Sequence, residues 1–176
     1  YLAWGSSITN PNPPFFFVTT NGRRALASFN RDPGNPDGYL NHLSSVATLQ
    51  PVEKSYLEEG LQCFVSGFYK ASAVMIGAST ESMILEIRDC IVQKLATIGR
   101  TIPKKINDRN IKTILDAMQT FFDMHKSTFS QSLREEYEAY WAAFIQQIRS
   151  ARNDAGHPTS VEPVTSDTVH ASLLIF

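Results

Sequence analysis

The sequence predicts an all-α protein, a four- to five-helix bundle preceded by a short N-terminal arm that contains a small strand. Beyond residue 50, apolar residues recur at steps of three and four, the spacing of one helix face. Prolines, glycines and capping residues divide that region into segments of helical length. With 176 residues and 43% hydrophobic content, the chain can bury one sizeable core and still carry an appendage.

The arm and a loop are predicted over residues 1–50. Residues 1–14 are expected to be irregular and end in Asn10-Pro11-Asn12-Pro13-Pro14, whose three prolines exclude a regular helix. Residues 15–19 are mostly apolar and fit a short strand. Residues 32–38 are rich in turn formers, so we expect a linker there.

The segment Thr20-x-Gly22-Arg23-Arg24-x-Leu26 resembles the end of a winged-helix domain, where a wing strand leads into a final short helix. Two interpretations are open. The segment is either the remnant of a larger winged-helix domain or a small arm that packs on the bundle. Under both, its two arginines are candidates for contact with nucleic acid.

The first long helix is predicted from Pro51 to about Tyr69. Proline suits the first helical position, and Glu53 in the first turn complements the helix dipole. The second is predicted from about residue 71 to 98, with Gly99 as its stop. Core positions are expected in the first helix at Tyr56, Leu57, Leu61, Phe64, Val65 and Phe68, and in the second at Val74, Met75, Ala78, Leu85, Ile91, Val92 and Leu95.

Glu81 interrupts the apolar side of the second helix, four residues before Leu85. Burial of a carboxylate there would require a partner. We consider Arg152 as that partner. The alternatives are that Glu81 lies at the edge of the apolar face or pairs with Arg88, two turns further along the helix.

Three more helices complete the predicted bundle. Asp108 is expected to cap a helix over about residues 109–125, and a serine-rich stretch precedes the fourth helix. After Pro163, residues 166–176 are predicted to close the bundle. The apolar face comprises Ile111, Ile114, Leu115, Met118, Phe121 and Phe122 in the third helix, and Val169, Leu173, Leu174 and Phe176 in the fifth.

The fourth helix carries an apolar stripe of Leu133, Tyr137, Trp141, Phe144, Ile145 and Ile148. Arg152 lies four residues beyond Ile148 and continues this stripe. A charge in that position is expected in a cleft, at a subunit interface, or reaching water from the rim. Gly156 and Pro158 allow a simpler interpretation, in which the segment is only a helix stop.

The residue types after Ile148 suit phosphate chemistry. The guanidinium of Arg152 is a permanently charged fork that matches phosphate oxygens. The imidazole of His157 transfers protons near neutral pH. Together these two groups support RNA cleavage without a metal.

Arg152-Asn153-x-x-x-His157 resembles the signature of the HEPN superfamily. The sequence that flanks the motif is similar to one uncharacterised branch of that superfamily, so the resemblance covers about residues 51–176. It implies a helical bundle that often forms dimers, and in many members a metal-independent endoribonuclease. Other members are non-catalytic modules that bind a nucleotide, RNA or protein. The similar flanking segments are Tyr56-Leu57-x-x-Gly60, Phe68-Tyr69, Ala73-Val74-Met75-x-Gly77-Ala78 and Glu81.

The resemblance implies that Arg152 and His157 are catalytic. Cleavage by internal transfer from the 2′-hydroxyl would leave a 2′,3′-cyclic phosphate on the RNA. A single histidine performs one proton transfer at a time, so a homodimer would supply a base and an acid. Asn153, Asp154 and Glu81 are expected to have supporting roles. The resemblance also implies a role in defence or toxin–antitoxin systems, with an antitoxin or another protein as partner.

The charge balance of the chain limits how it could bind RNA. Sixteen basic and seventeen acidic residues give a net charge of -1, so any RNA site must be local. Lys104, Lys105 and Arg109 form a basic cluster that is a candidate for RNA binding, although such clusters are commonly a solvated face.

Metal and membrane signals are not found in the sequence. Cys63 and Cys90 are isolated and expected to be buried, and the four histidines have no metal-ligand spacing. We therefore expect no metal and no cofactor. The chain contains no apolar run long enough to cross a bilayer, which predicts a soluble, cytoplasmic protein with no membrane partner.

Overall fold

The structure, a computed structural model, describes residues 2–4, 16–23, 31–156 and 164–176, with the backbone alone at a few positions that include residues 149–156. Over these residues the protein is all-α apart from one two-stranded sheet, which confirms the predicted fold class. The chain divides into two compact units, residues 1–48 and 49–176. The predicted domains, residues 1–50 and 51–176, stay a prediction.

Over its described residues, the first unit contains the sheet, a helical turn at residues 20–23 and one longer helix. Strands β1 (Leu2–Trp4) and β2 (Phe16–Val18) pair antiparallel, with Ala3 opposite Phe17. β2 lies within the predicted strand, whereas β1 was expected to be irregular. Helix α1 (Pro36–Val46) begins inside the predicted linker, because the Asn35 side chain accepts a hydrogen bond from the Gly38 backbone N–H and caps it.

The second unit begins with two helices that pack on each other, α2 (Pro51–Val65) and α3 (Tyr69–Thr97). The prediction that the first helix reaches Tyr69 is wrong. Gly67 has a left-handed backbone, φ 79°, and the Phe68 N–H donates to the Cys63 carbonyl at 2.8 Å. This hydrogen bond ends α2 and reverses the chain.

Small and hydroxyl-bearing side chains line the contact between α2 and α3. Ser72 Oγ donates to the Gly60 carbonyl at 2.7 Å, and Ser79 Oγ donates to the Glu53 carbonyl at 2.8 Å. A Cβ on Gly60 would lie 3.2 Å from Ile76 Cγ1, so the two backbones approach closely. The buried residues of α3 are Ser72, Ala73, Ile76, Ser79, Thr80, Ile84 and Leu95.

Several apolar residues that were predicted to be in the core are exposed instead. The prediction followed hydrophobicity alone, whereas the packed face of α3 is built largely from small residues. Cys90 is also exposed and Cys63 only half-buried, so the expectation of two buried thiols is wrong. The exposed residues that were expected inside are Tyr56, Val65, Phe68, Val74 and Leu174.

Helices α4 (Ile111–His125), α5 (Gln131–Gly156) and α6 (Ser166–Ile175) complete the second unit, and Lys126–Thr128 forms a 3-10 turn. Asn110, not Asp108, caps α4, since its side chain accepts from the Lys112 N–H at 2.9 Å. α5 packs on α3, and α6 contacts both. One buried cluster joins these elements and comprises Ile84, Ile106, Ile111, Ile114, Leu115, Met118, Ile145 and Ile148.

Candidate functional site

The end of α5 carries Arg152, Asn153 and Asp154, the first residues of the motif that runs from Arg152 to His157. The backbone is helical through residues 152–154, and the helix ends at Gly156. Exposure falls along the stripe of this helix, from 50% at Leu133 to 2% at Ile148. Arg152 therefore lies one helical turn beyond the deeply buried end of the stripe.

His157 and Pro158 lie outside the described residues. For Arg152, Asn153 and Asp154 only the backbone is described. Their predicted roles, two as supporting residues and Arg152 with His157 as the catalytic pair, therefore stay predictions.

Glu81 lies half-buried on α3 and has an interaction partner. Ile84, nearly one turn further along α3, belongs to the same buried cluster as Ile148, one turn before Arg152. Glu81 and Arg152 therefore each lie one turn from a member of that cluster, on two helices that pack together. The Arg88 guanidinium contacts Asp89 at 2.7 Å.

The predicted basic cluster lies on the connector between α3 and α4. Lys104, Lys105 and Arg109 are all exposed, and none forms an ion pair with another described residue. Ile106 is fully buried within the same connector and anchors it to the core. These cations are thus held on an anchored segment and are open to solvent.

A groove of about 760 Å³ lies beside this connector and was not predicted from the sequence. Its walls are largely apolar and include Leu95, Ile98, Phe121, Met124 and Phe129. Arg100, Lys104 and His125 also line it. A smaller apolar groove of about 560 Å³ shares Leu95 and Phe121 with it.

His125 stands at the C-terminal end of α4, in this groove. Its Nδ1–H donates to the Phe121 carbonyl oxygen at 2.8 Å, and its ring centroid lies 4.5 Å from that of Phe121. The imidazole is exposed, so its outer face is open to a stacking partner. This pair was not predicted, although a phenylalanine four positions before a histidine on a predicted helix could have indicated it.

An aromatic cluster supports the corner between α4 and α5, next to the groove. Phe122 packs edge-on against Trp141 at 5.1 Å and against Tyr137 at 5.6 Å. The Tyr137 hydroxyl donates to Asp123 Oδ1 at 3.0 Å. Burial, with a smaller effect of Asp123, raises the pKa of Tyr137 to about 12, so this hydroxyl stays protonated as a donor.

A buried carboxyl group lies at the start of α2. Glu53 is 1% exposed, and its Oε2 accepts from the Gln50 backbone N–H at 2.9 Å. Its Oε1 has no hydrogen-bond partner among the described residues. Burial, and to a lesser extent Glu86, raises the pKa of Glu53, whereas the Gln50 N–H lowers it.

Metal-ligating residues do not converge in the part of the chain described above. No three His, Cys, Asp or Glu side chains there could hold a metal ion. In the same ranges, no helix is both long and apolar enough to cross a membrane.

These features define an all-α protein with a basic, partly aromatic groove and a helix that ends in an arginine-bearing segment. Comparisons with protein-family models, with curated proteins and with solved structures gave no match.

Proposed function

We propose that the protein is a metal-independent endoribonuclease of HEPN type that acts as a homodimer. The observation that carries this proposal is the Arg152-Asn153-x-x-x-His157 motif in the sequence. Its first five residues, 152–156, form the end of α5. The burial of the preceding stripe down to Ile148 supports the proposal, because the core then fixes the helix that carries the arginine.

Cleavage by internal transfer requires removal of the 2′-hydroxyl proton, stabilisation of the phosphorane, and protonation of the departing 5′-oxygen. In the proposed dimer, His157 of one protomer is the base and His157 of the other is the acid. The two Arg152 guanidinium groups bind the phosphate. Asn153 and Asp154 orient these groups, and Glu81 orients Arg152.

RNA is the proposed substrate, and Lys104, Lys105 and Arg109 are proposed to contact its phosphates. Their exposure on an anchored connector supports this role. We place the activity in the cytoplasm, in a defence or toxin–antitoxin system, where an antitoxin or another protein would restrain it.

The second candidate is a non-catalytic HEPN-like module that dimerises and binds a nucleotide, RNA or protein. The groove beside α4 favours this candidate, because apolar walls with a few polar groups are typical of binding sites. Binding without cleavage would distinguish it from the enzyme.

The proposal is tested by cleavage of a fluorescent single-stranded RNA in EDTA by the wild-type protein, His157→Ala and His42→Ala. A well-placed general acid or base contributes about two to four orders of magnitude, so His157→Ala should lose nearly all activity. His42→Ala, a histidine of the first unit, should retain it. Thermal unfolding of each protein controls for folding.

The product ends and the metal requirement give a second readout. We expect a 2′,3′-cyclic phosphate and no inhibition by EDTA. Cleavage that depends on a divalent metal, or equal cleavage by the wild type and His157→Ala, would contradict the proposal.

A further inference from the structure

A backbone turn and a buried side chain shape one side of the groove beside α4. Gly99 has a left-handed backbone, φ 65°, and the Arg100 N–H donates to the Leu95 carbonyl at 2.9 Å, so α3 ends abruptly and the chain turns. The fully buried Ile106 then anchors the connector. Arg100 and Lys104 are therefore both held on a short segment at one side of the groove.

The walls of the groove remain accessible. Ile98 is 55% exposed and Met124 is 65% exposed, and both line the groove with Phe121 and Phe129. Large apolar side chains that cluster in an exposed concave surface commonly mark a binding site. The volume of about 760 Å³ falls in the usual range for sites that hold small molecules or parts of larger ligands.

The charges of the lining all have one sign. Arg100 and Lys104 are cationic, and within the part of the chain that the structure describes no acidic residue lines the groove. Neither Arg100 nor Lys104 forms an ion pair with another described residue. A protein with a net charge of -1 thus presents a local positive site beside apolar and aromatic side chains, which complements an anion with a flat, apolar part.

We infer that this groove binds single-stranded RNA, with one unpaired base against the His125 and Phe121 rings and the adjoining phosphates on Arg100 and Lys104. Base stacking on aromatic side chains, combined with cations along the backbone, is the usual chemistry of single-strand recognition. This inference deepens the proposed function and rests on it, since it defines where the substrate is held outside the cleavage motif.

The groove lies several turns along α3 from Glu81, the residue proposed to orient Arg152. Leu95 follows Glu81 by fourteen residues on α3, which is about 21 Å along the helix axis. If Glu81 lies near Arg152, as proposed, one strand would have to extend over several nucleotides to reach both. The groove would then favour unpaired substrates over duplexes, whose bases are not free to stack on protein side chains.

The test measures binding of a short fluorescent unstructured RNA to the full chain by fluorescence polarisation, in the His157→Ala background so that the probe stays intact. The double variant Arg100→Ala, Lys104→Ala should bind about tenfold more weakly. Its log Kd against log salt should lose about 1.4 in slope, because each phosphate contact contributes about 0.7 with single strands. The matched control is Lys54→Ala, Lys70→Ala, which removes the same charge elsewhere and should have little effect.

The stacking part of the inference has its own pair of variants. His125→Ala should weaken binding roughly 5- to 150-fold, the range for loss of one stacked base. His125→Phe keeps an aromatic ring without the ring nitrogens and should retain most of the affinity. A structural effect of the missing imidazole would appear as a lower unfolding temperature of both variants.

The outcomes separate the groove from the catalytic proposal. Cleavage by the wild type with RNA binding unaffected by the groove variants would overturn the inference and leave the proposed function standing. Groove-dependent binding without cleavage would overturn the proposed function and support the inference. Equal losses in the groove and control double variants would show general electrostatic attraction and overturn the groove site. Absence of RNA binding, or preference for an uncharged apolar ligand or a peptide, would also overturn the groove site.

Discussion

Glu53 places an acidic side chain in the core at the first turn of α2, where one carboxylate oxygen accepts a hydrogen bond from the Gln50 N–H. From the sequence, Glu53 was expected only to complement the helix dipole in the first turn. The apolar pattern did not indicate that α3 packs against this turn. The contact there includes Ser79, a polar residue whose hydroxyl donates a hydrogen bond to the Glu53 carbonyl. A polar residue that contacts a backbone atom leaves no trace in a hydrophobic pattern.

Burial of Glu53 makes stability depend on pH. Its pKa in the folded protein is raised from the ordinary 4.5, so the folded state binds the proton more tightly than the unfolded chain. The stabilisation is complete below the unfolded pKa and is lost as pH rises through the folded pKa. Glu53→Gln keeps an acceptor for the Gln50 N–H and should flatten this dependence.

Urea unfolding at a series of pH values from about 4 upwards checks the Glu53 prediction, with Glu58→Gln as control because that carboxylate is exposed on the same helix. We expect the wild type and Glu58→Gln to lose stability over a range that Glu53→Gln does not. Parallel pH profiles for all three proteins would contradict the assigned role of burial.

At the scale of elements, the sequence predicts best where helices are amphipathic. α4 shows this clearly, since Ile111, Ile114, Leu115 and Met118 were expected inside and are buried. The α2–α3 pair was predicted less well. Its contact uses glycine and serine residues, so Val74 and Phe68 were wrongly placed in the core and the turn at Gly67 was missed.

The turn between α2 and α3 gives a prediction at this scale. Gly67→Ala should destabilise the protein by about 1–2 kcal/mol, the usual cost of a side chain in the left-handed region. No heavy atom lies within 4 Å of a Cβ built at this glycine, so the loss would come from backbone strain and not from a clash.

Thermal and urea unfolding of Gly67→Ala and Gly67→Asn would check this prediction. Asparagine tolerates the left-handed region better than alanine, so Gly67→Asn should lose less stability. An alanine variant as stable as the wild type, or an asparagine variant less stable than the alanine variant, would contradict the assigned cause.

At the scale of the whole molecule, the all-α class followed from helical periodicity and is confirmed, whereas the groove could not be predicted. It depends on how the end of α3, the connector and the end of α4 meet in space, and sequence spacing does not contain that information. Arg152 and His157 were selected by chemistry and motif. Their catalytic function stays a proposal, and it requires a site formed by both protomers of a homodimer.

The measurement that most directly tests this proposal is RNA cleavage in EDTA by mixtures of wild-type and His157→Ala protein, allowed to exchange subunits at constant total concentration. If each site needs His157 from both protomers, activity should follow the square of the wild-type fraction, so an equal mixture would retain about a quarter. Activity proportional to the wild-type fraction, or no His157-dependent cleavage at all, would contradict the composite site.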